Sequence, residues 1–119
     1  MDALKRGSLN TWSVVFSGGS GFLSVERNTT LTLGPALVVR GKTGTLGQPV
    51  FAGGNNKIIN QGRISADVAG GTLTVNPTAF TNEGVLRASD GGTLKIMAAQ
   101  FTDTGTREEL NGGKIVVSP

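Results

Sequence analysis

At 119 residues the chain is sized for one domain, and with 19 glycines, five phenylalanines, one tryptophan and no tyrosine, small side chains must dominate its packing. Without cysteine it has no disulfide framework or thiolate chemistry, and without histidine it lacks the commonest general base and metal ligand. The net charge of +3 is not gathered into a basic stripe interleaved with aromatics, which argues against a nucleic-acid surface, and no apolar run is long enough to span a bilayer as a helix.

Residues 1–13 repeat nothing downstream. Their apolar anchors are Leu4, Leu9 and Trp12, they lack the apolar core of a secretory signal, and they are expected to form an N-terminal cap or leader ahead of a repeat domain spanning 14–119. A stack of repeats exposes its apolar interior and unpaired strand edges at both ends, so each end needs a cover. For the same reason the ends are candidate surfaces for self-association or for neighbouring repeats.

From Phe16 onward a bulky residue returns at Phe16, Leu37, Ile58, Phe80 and Phe101, a spacing of 21 or 22 residues. Glycine follows in the same phase at Gly21, Gly41, Gly62, Gly84 and Gly105, and a second apolar position at Leu31, Phe51, Leu73, Leu94 and Ile115. Repeats of this length cannot bury an apolar face alone and do so by stacking. The expected fold is all-β: a parallel β-solenoid of about five coils of 20–22 residues, right-handed by the general preference of parallel crossovers.

Inside each coil the residues alternate with period two. In one strand Leu23 and Val25, Ile64 and Ala66, and Leu86 and Ala88 are expected inward, with Ser24, Ser65 and Arg87 facing solvent. In the next, Leu31 and Leu33, Leu73 and Val75, Leu94 and Ile96, and Ile115 and Val117 are expected inward. Thr30, Thr32, Thr72, Thr74, Thr93, Lys95, Lys114 and Val116 then point outward. Glycines are expected at corners, where sharp bends favour positive φ, and the Gly-Gly pairs at 70–71, 91–92 and 112–113 fit a second corner. Asn60, Asn82 and Asp103 each follow the bulky position by two residues and are expected to stack into a polar ladder.

Two coils depart from this pattern. Coil two, from Leu37 to about Lys57, places Thr43 and Thr45 where the others are apolar and Gly53 where Val or Ile belongs, so a looser turn or a bulge is expected. In coil five Arg107 and Glu109 take the slots of Leu86 and Ala88. Buried unpaired charge is costly, so that strand is expected to shift register, to bulge, or, the preferred reading, to serve as a polar end cap.

The candidate chemistry is sparse. Glycoside cleavage needs two carboxylates across the scissile bond, and the adjacent pair Glu108 and Glu109 points to opposite faces of a strand, so a polysaccharide-cleaving enzyme is not expected. Asp67, Asp90 and Asn111 precede the Gly-Gly corners, where stacked acidic turns of solenoids bind Ca²⁺. The Gly-Gly-x-Gly-x-Asp repeat is not met at residues 18–23, however, and turn formation accounts for these residues without a metal or cofactor. The outward threonines form a partial array of the ice-binding kind, interrupted by Val50, Ala52, Lys95, Lys114 and Val116. Arg40, Lys42, Arg63 and Arg87, on one side of coils two to four, together with Thr93 and Lys95, are the candidate surface-binding residues, and the basic ones suit an anionic glycan. Their plainer role is to keep a strand face solvated.

The segments 58–66, 80–88 and 91–96 resemble repeats of large secreted or cell-surface bacterial β-helix proteins, such as the passenger regions of autotransporters and filamentous adhesins. The likeness is close over residues 58–97 and looser over 16–117. It implies an extracellular parent and a structural or adhesive module without catalysis. The alternative is a module that binds an extracellular glycan.

Overall fold

The computed structural model describes residues 7–9, 13–16, 22–23, 29–47 and 55–118, and every regular element among them is a β-strand. The first rung holds β1 (Gly7–Leu9), β2 (Ser13–Phe16) and β3 (Phe22–Leu23), and the second β4 (Thr30–Leu33), β5 (Val38–Gly41) and β6 (Gly44–Leu46). The third holds β7 (Lys57–Asn60), β8 (Arg63–Ala66) and β9 (Thr72–Val75), and the fourth β10 (Ala79–Asn82), β11 (Val85–Ser89) and β12 (Thr93–Ile96). The fifth holds β13 (Gln100–Asp103), β14 (Thr106–Leu110) and β15 (Lys114–Val117). Every third strand joins the same sheet, giving β1-β4-β7-β10-β13 as sheet one, β2-β5-β8-β11-β14 as sheet two and β3-β6-β9-β12-β15 as sheet three. All pairings are parallel, so the fold is the expected β-solenoid, with three sides. Within the expected N-terminal cap segment, Gly7–Leu9 pair with Leu31–Leu33 as part of the stack. Leu4 and Trp12, like Gly21, Ser24, Val25, Val50, Phe51, Ala52 and Gly53, lie outside the described residues.

Alternation decides which residues go inside. Thr-Leu-Thr-Val in β9 and Thr-Leu-Lys-Ile in β12 bury Leu73, Val75, Leu94 and Ile96 and leave their β-branched or long neighbours on the outer face, where such side chains suit a pleated surface. Parallel register then stacks like on like. Leu31, Ile58, Phe80 and Phe101 form one inner column and Val39, Ile64 and Leu86 another. The Phe80 and Phe101 rings stack at a centroid distance of 5.6 Å and an interplanar angle of 8°. Full burial of such a side chain contributes about 1.5–3 kcal/mol, against about 0–1 kcal/mol for an exposed ion pair, so these columns carry the stability.

The period of 21 or 22 residues holds from the third rung on, where Ile58, Phe80 and Phe101 are in register, as are Leu73, Leu94 and Ile115. The frame expected for the first two coils is corrected. Leu31 lies in sheet one against Ile58 rather than in the column of Leu73, Leu37 sits in a corner, and Phe16 pairs with Gly41. Residues 34–37 make the corner that Gln61 and Gly62 make one rung later, closed by a bond from Leu37 N to Gly34 O of 3.0 Å. The physical reason is that alternating apolar triplets fit all three sheets equally well, and corner length alone decides which sheet a triplet joins. Thr45 is likewise not an inward exception, because it pairs with Thr74 on the outer face while Gly44 takes the inward slot opposite Leu73. The Phe16 ring fills the volume that Gly44 leaves: a Cβ there would lie 2.6 Å from the ring.

Corner one carries the polar ladder. Asn60 Nδ2 donates to Asn82 Oδ1 at 2.9 Å, and Asn82 Nδ2 donates to Asp103 Oδ1 at 3.0 Å. The same side chains hold the corner backbone: Asn60 Oδ1 accepts from Gly62 N at 3.2 Å and Asp103 Oδ1 from Gly105 N at 3.1 Å. Asn60 and Asn82 are fully buried, so these bonds replace water. The glycines here serve a different purpose from the one expected. Gly84 is not among the positive-φ residues; a Cβ on it would overlap the carbonyl oxygen of Gly62 on the rung before. Of the series Gly41, Gly62, Gly84 and Gly105, only Gly41 (φ 133°) is among the positive-φ residues; the others are Gly47, after β6, and corner two of the later rungs, where Asp90 (φ 53°) and Gly91 (φ 79°) form a turn closed by Gly92 N to Ser89 O at 3.0 Å.

The fifth rung stays in register, with Leu86 opposite Arg107 and Ala88 opposite Glu109, so neither a shift nor a bulge relieves the charges. They are exposed and partnered, Arg107 Nε lying 3.0 Å from Asp103 Oδ2 and Glu109 Oε2 accepting from Ile115 N at 2.7 Å. Among the described residues β14 thus covers the column of Leu86 and Ala88 with charge, whereas Phe101, Ile115 and Val117 continue the other inner columns into the fifth rung.

In urea denaturation, Gly84→Val is expected to lower stability by about 3 kcal/mol or more, because backbone must move, whereas Gly70→Ala, with open space around it but a φ of 78°, costs about 1–2 kcal/mol. Asn82→Ala is expected to cost about 1–3 kcal/mol by stripping buried partners, and Gln61→Ala, on the solvent side of the same corner, less than about 0.5 kcal/mol.

Candidate functional site

The outer face of sheet two gathers most of the basic residues singled out in the sequence. One outward column runs Val38, Arg63, Val85, Thr106 and the next runs Arg40, Ser65, Arg87, Glu108. Ser65 points outward as expected but is only 5% exposed, because it is the short side chain between two arginines. A depression of about 210 Å³ opens over it, lined by Val38, Arg40, Arg63, Ser65, Asp67, Arg87, Ser89 and Asp90. Ser89, buried at the end of β11, and the corner residues Asp67 and Asp90 close its far side.

Its charges are incompletely matched. Arg40 Nε and Asp67 Oδ2 are 2.8 Å apart, with side chains 46% and 17% exposed. Arg87 Nε lies 4.0 Å from Glu108 Oε1, beyond hydrogen-bond distance, and Arg63 has no ion-pair partner among the described residues. Consequently Arg87 Nε, a donor, and Asp67 Oδ1, an acceptor, are both covered and, among the described residues, both without a hydrogen-bond partner. Asp90 Oδ1 accepts from Asn111 Nδ2 at 3.3 Å, and both residues hold positive φ, in keeping with turn formation.

Of the six expected surface-binding residues, Arg40, Arg63 and Arg87 come together here. Lys42 is exposed in the corner after β5, and Thr93 and Lys95 lie on sheet three. The threonine array divides as well: Thr30 and Thr32 are on sheet one, whereas Thr72, Thr74 and Thr93 are on sheet three, so no single flat face presents them all. Reading from sequence does not single out Ser65 and Ser89 as site residues, nor does it bring Asp67 and Asp90 to one depression. Ser65 is legible as an outward position, but the arginines that flank it become its neighbours only through the register of β5, β8 and β11. A second depression, of about 350 Å³, lies over Arg107, Glu109 and Ile115, where the polar groups are already engaged with Asp103 and the Ile115 amide.

These geometries bear on stability. Asp67→Ala is expected to cost less than about 1 kcal/mol in thermal denaturation, since its partner Arg40 is half exposed, and Arg87→Met to leave stability unchanged or slightly raised, since it removes a covered donor that has no acceptor.

Comparison of the chain with protein-family models, with curated proteins and with solved structures found no match.

Proposed function

We propose that the chain is a non-catalytic structural or adhesive module, a rigid segment of a bacterial surface repeat protein that holds its outer faces in fixed register. The observation that supports this most directly is the in-register stacking of inner columns and of the Asn60–Asn82–Asp103 ladder. Stability resides in the interior and at the corners, which leaves the outward positions free to carry whatever the surface must present. A second reading, a module binding an extracellular glycan, is favoured by the depression on sheet two with its three arginines and two serines.

The absence of cysteine makes the rigid-module reading directly testable. Dyes attached to the double variant Val15→Cys, Val116→Cys, at exposed positions on the first and fifth rungs, are expected to give one narrow single-molecule energy-transfer peak that persists up to the unfolding midpoint. A broad or multiple distribution under native conditions would sink the rigid-module reading.

A further inference from the structure

We infer that the depression on sheet two is a subsite for one acidic sugar residue of a glycan, a ring bearing both an anionic group and free hydroxyls; this rests on the glycan-binding reading above. Size is the first argument. At about 210 Å³ the depression falls below the roughly 300 Å³ at which pockets for drug-sized ligands begin, which suits a single sugar ring.

Chemistry is the second argument. A simple anion would satisfy guanidinium groups but would add to the charge already on Asp67. A neutral sugar would satisfy the carboxylate but leave the arginines without an acceptor. The site holds both unmet needs, a donor on Arg87 Nε and an acceptor on Asp67 Oδ1, and Arg63 adds an exposed guanidinium without an ion pair. An acidic sugar meets them together. Its anionic group accepts from Arg63 and Arg87, where charge-assisted bonds with guanidinium are strongest, and a hydroxyl donates to Asp67. Arg87 Nε and Asp67 Oδ1 are both covered in the free protein, so binding requires the Arg87 side chain, one-third exposed, and the Asp67 carboxylate, 17% exposed, to turn them toward the ligand. Ser65 and Ser89 form a floor of short hydroxyl side chains that leaves room for the ring. Rungs spaced roughly 4.8 Å apart put Arg40 and Arg87, two rungs from each other, roughly 10 Å apart along the groove, which leaves room for one sugar ring over Ser65 between them.

The test is titration calorimetry at low and at physiological salt, with an oligouronate, a sulfated oligosaccharide and a neutral maltooligosaccharide as separate probes. Binding of either acidic probe that persists at physiological salt is expected, the two arms distinguishing carboxylate from sulfate. Arg87→Met and Arg63→Met are each expected to weaken it about tenfold or more, while Lys95→Met, on sheet three, leaves it unchanged. Circular dichroism checks that each variant is folded, and Arg63→Met carries the test if Arg87→Met is not. Equal binding of neutral and acidic probes would overturn the acidic subsite while keeping a glycan module. No binding of any probe would overturn both. Equal weakening by Lys95→Met, or equal binding of duplex DNA, would reduce the site to diffuse attraction and overturn the proposal.

Discussion

The constraint on which this structure depends is the backbone hydrogen bonding between rungs, which holds each residue roughly 4.8 Å from its equivalents above and below. Whatever chemistry occupies a position is thereby multiplied along a column. Apolar residues gain from this, as in the column from Leu31 to Phe101. Like charges would lose, and among the described strands no two like-charged residues face each other on neighbouring rungs. Arg40 and Arg87 are separated by Ser65, and Arg87 meets Glu108.

The same constraint explains the asparagine ladder. An amide carries a donor and an acceptor, so one asparagine can pass a hydrogen bond to the next. An ionised carboxylate only accepts, so Asp103 receives from Asn82 and cannot pass the bond on. At the other end Leu33 stands over Asn60 and returns the column to apolar packing. Backbones also approach closely at corner one. A glycine sits over the preceding carbonyl there because no Cβ fits between the rungs.

Function follows from the division between inside and outside. The interior and corners use nearly all the buried polar groups for structure, while the depression on sheet two holds two covered polar atoms without a hydrogen-bond partner among the described residues. The groove exists because a serine interrupts a column of arginines. Separating like charges, a requirement of stacking, therefore also makes the recess proposed above as a subsite.

Much of the fold was legible in the residues themselves. The period from Ile58 to Val117, the inward and outward sets of β9, β12 and β8, and the Asn60–Asn82–Asp103 ladder all follow from alternation and spacing, because each strand's pattern reflects its own two faces. The first two rungs were not legible in the same way. Their triplets match any sheet, and the longer corners, such as residues 34–37, shift the frame without disturbing the alternation. The role of Gly84 was also hidden, because a close approach between rungs leaves no mark in the dihedral preference of the residue. What the chain alone determined is the solenoid, its inner columns and its polar ladder. Only the tertiary structure decided which outward residues share a face: it joined Arg40, Arg63 and Arg87 with Ser65 and Asp67, and it split the threonines between two sheets. Neighbours across rungs are set by corner length and hydrogen-bond register, which act between residues more than twenty positions apart.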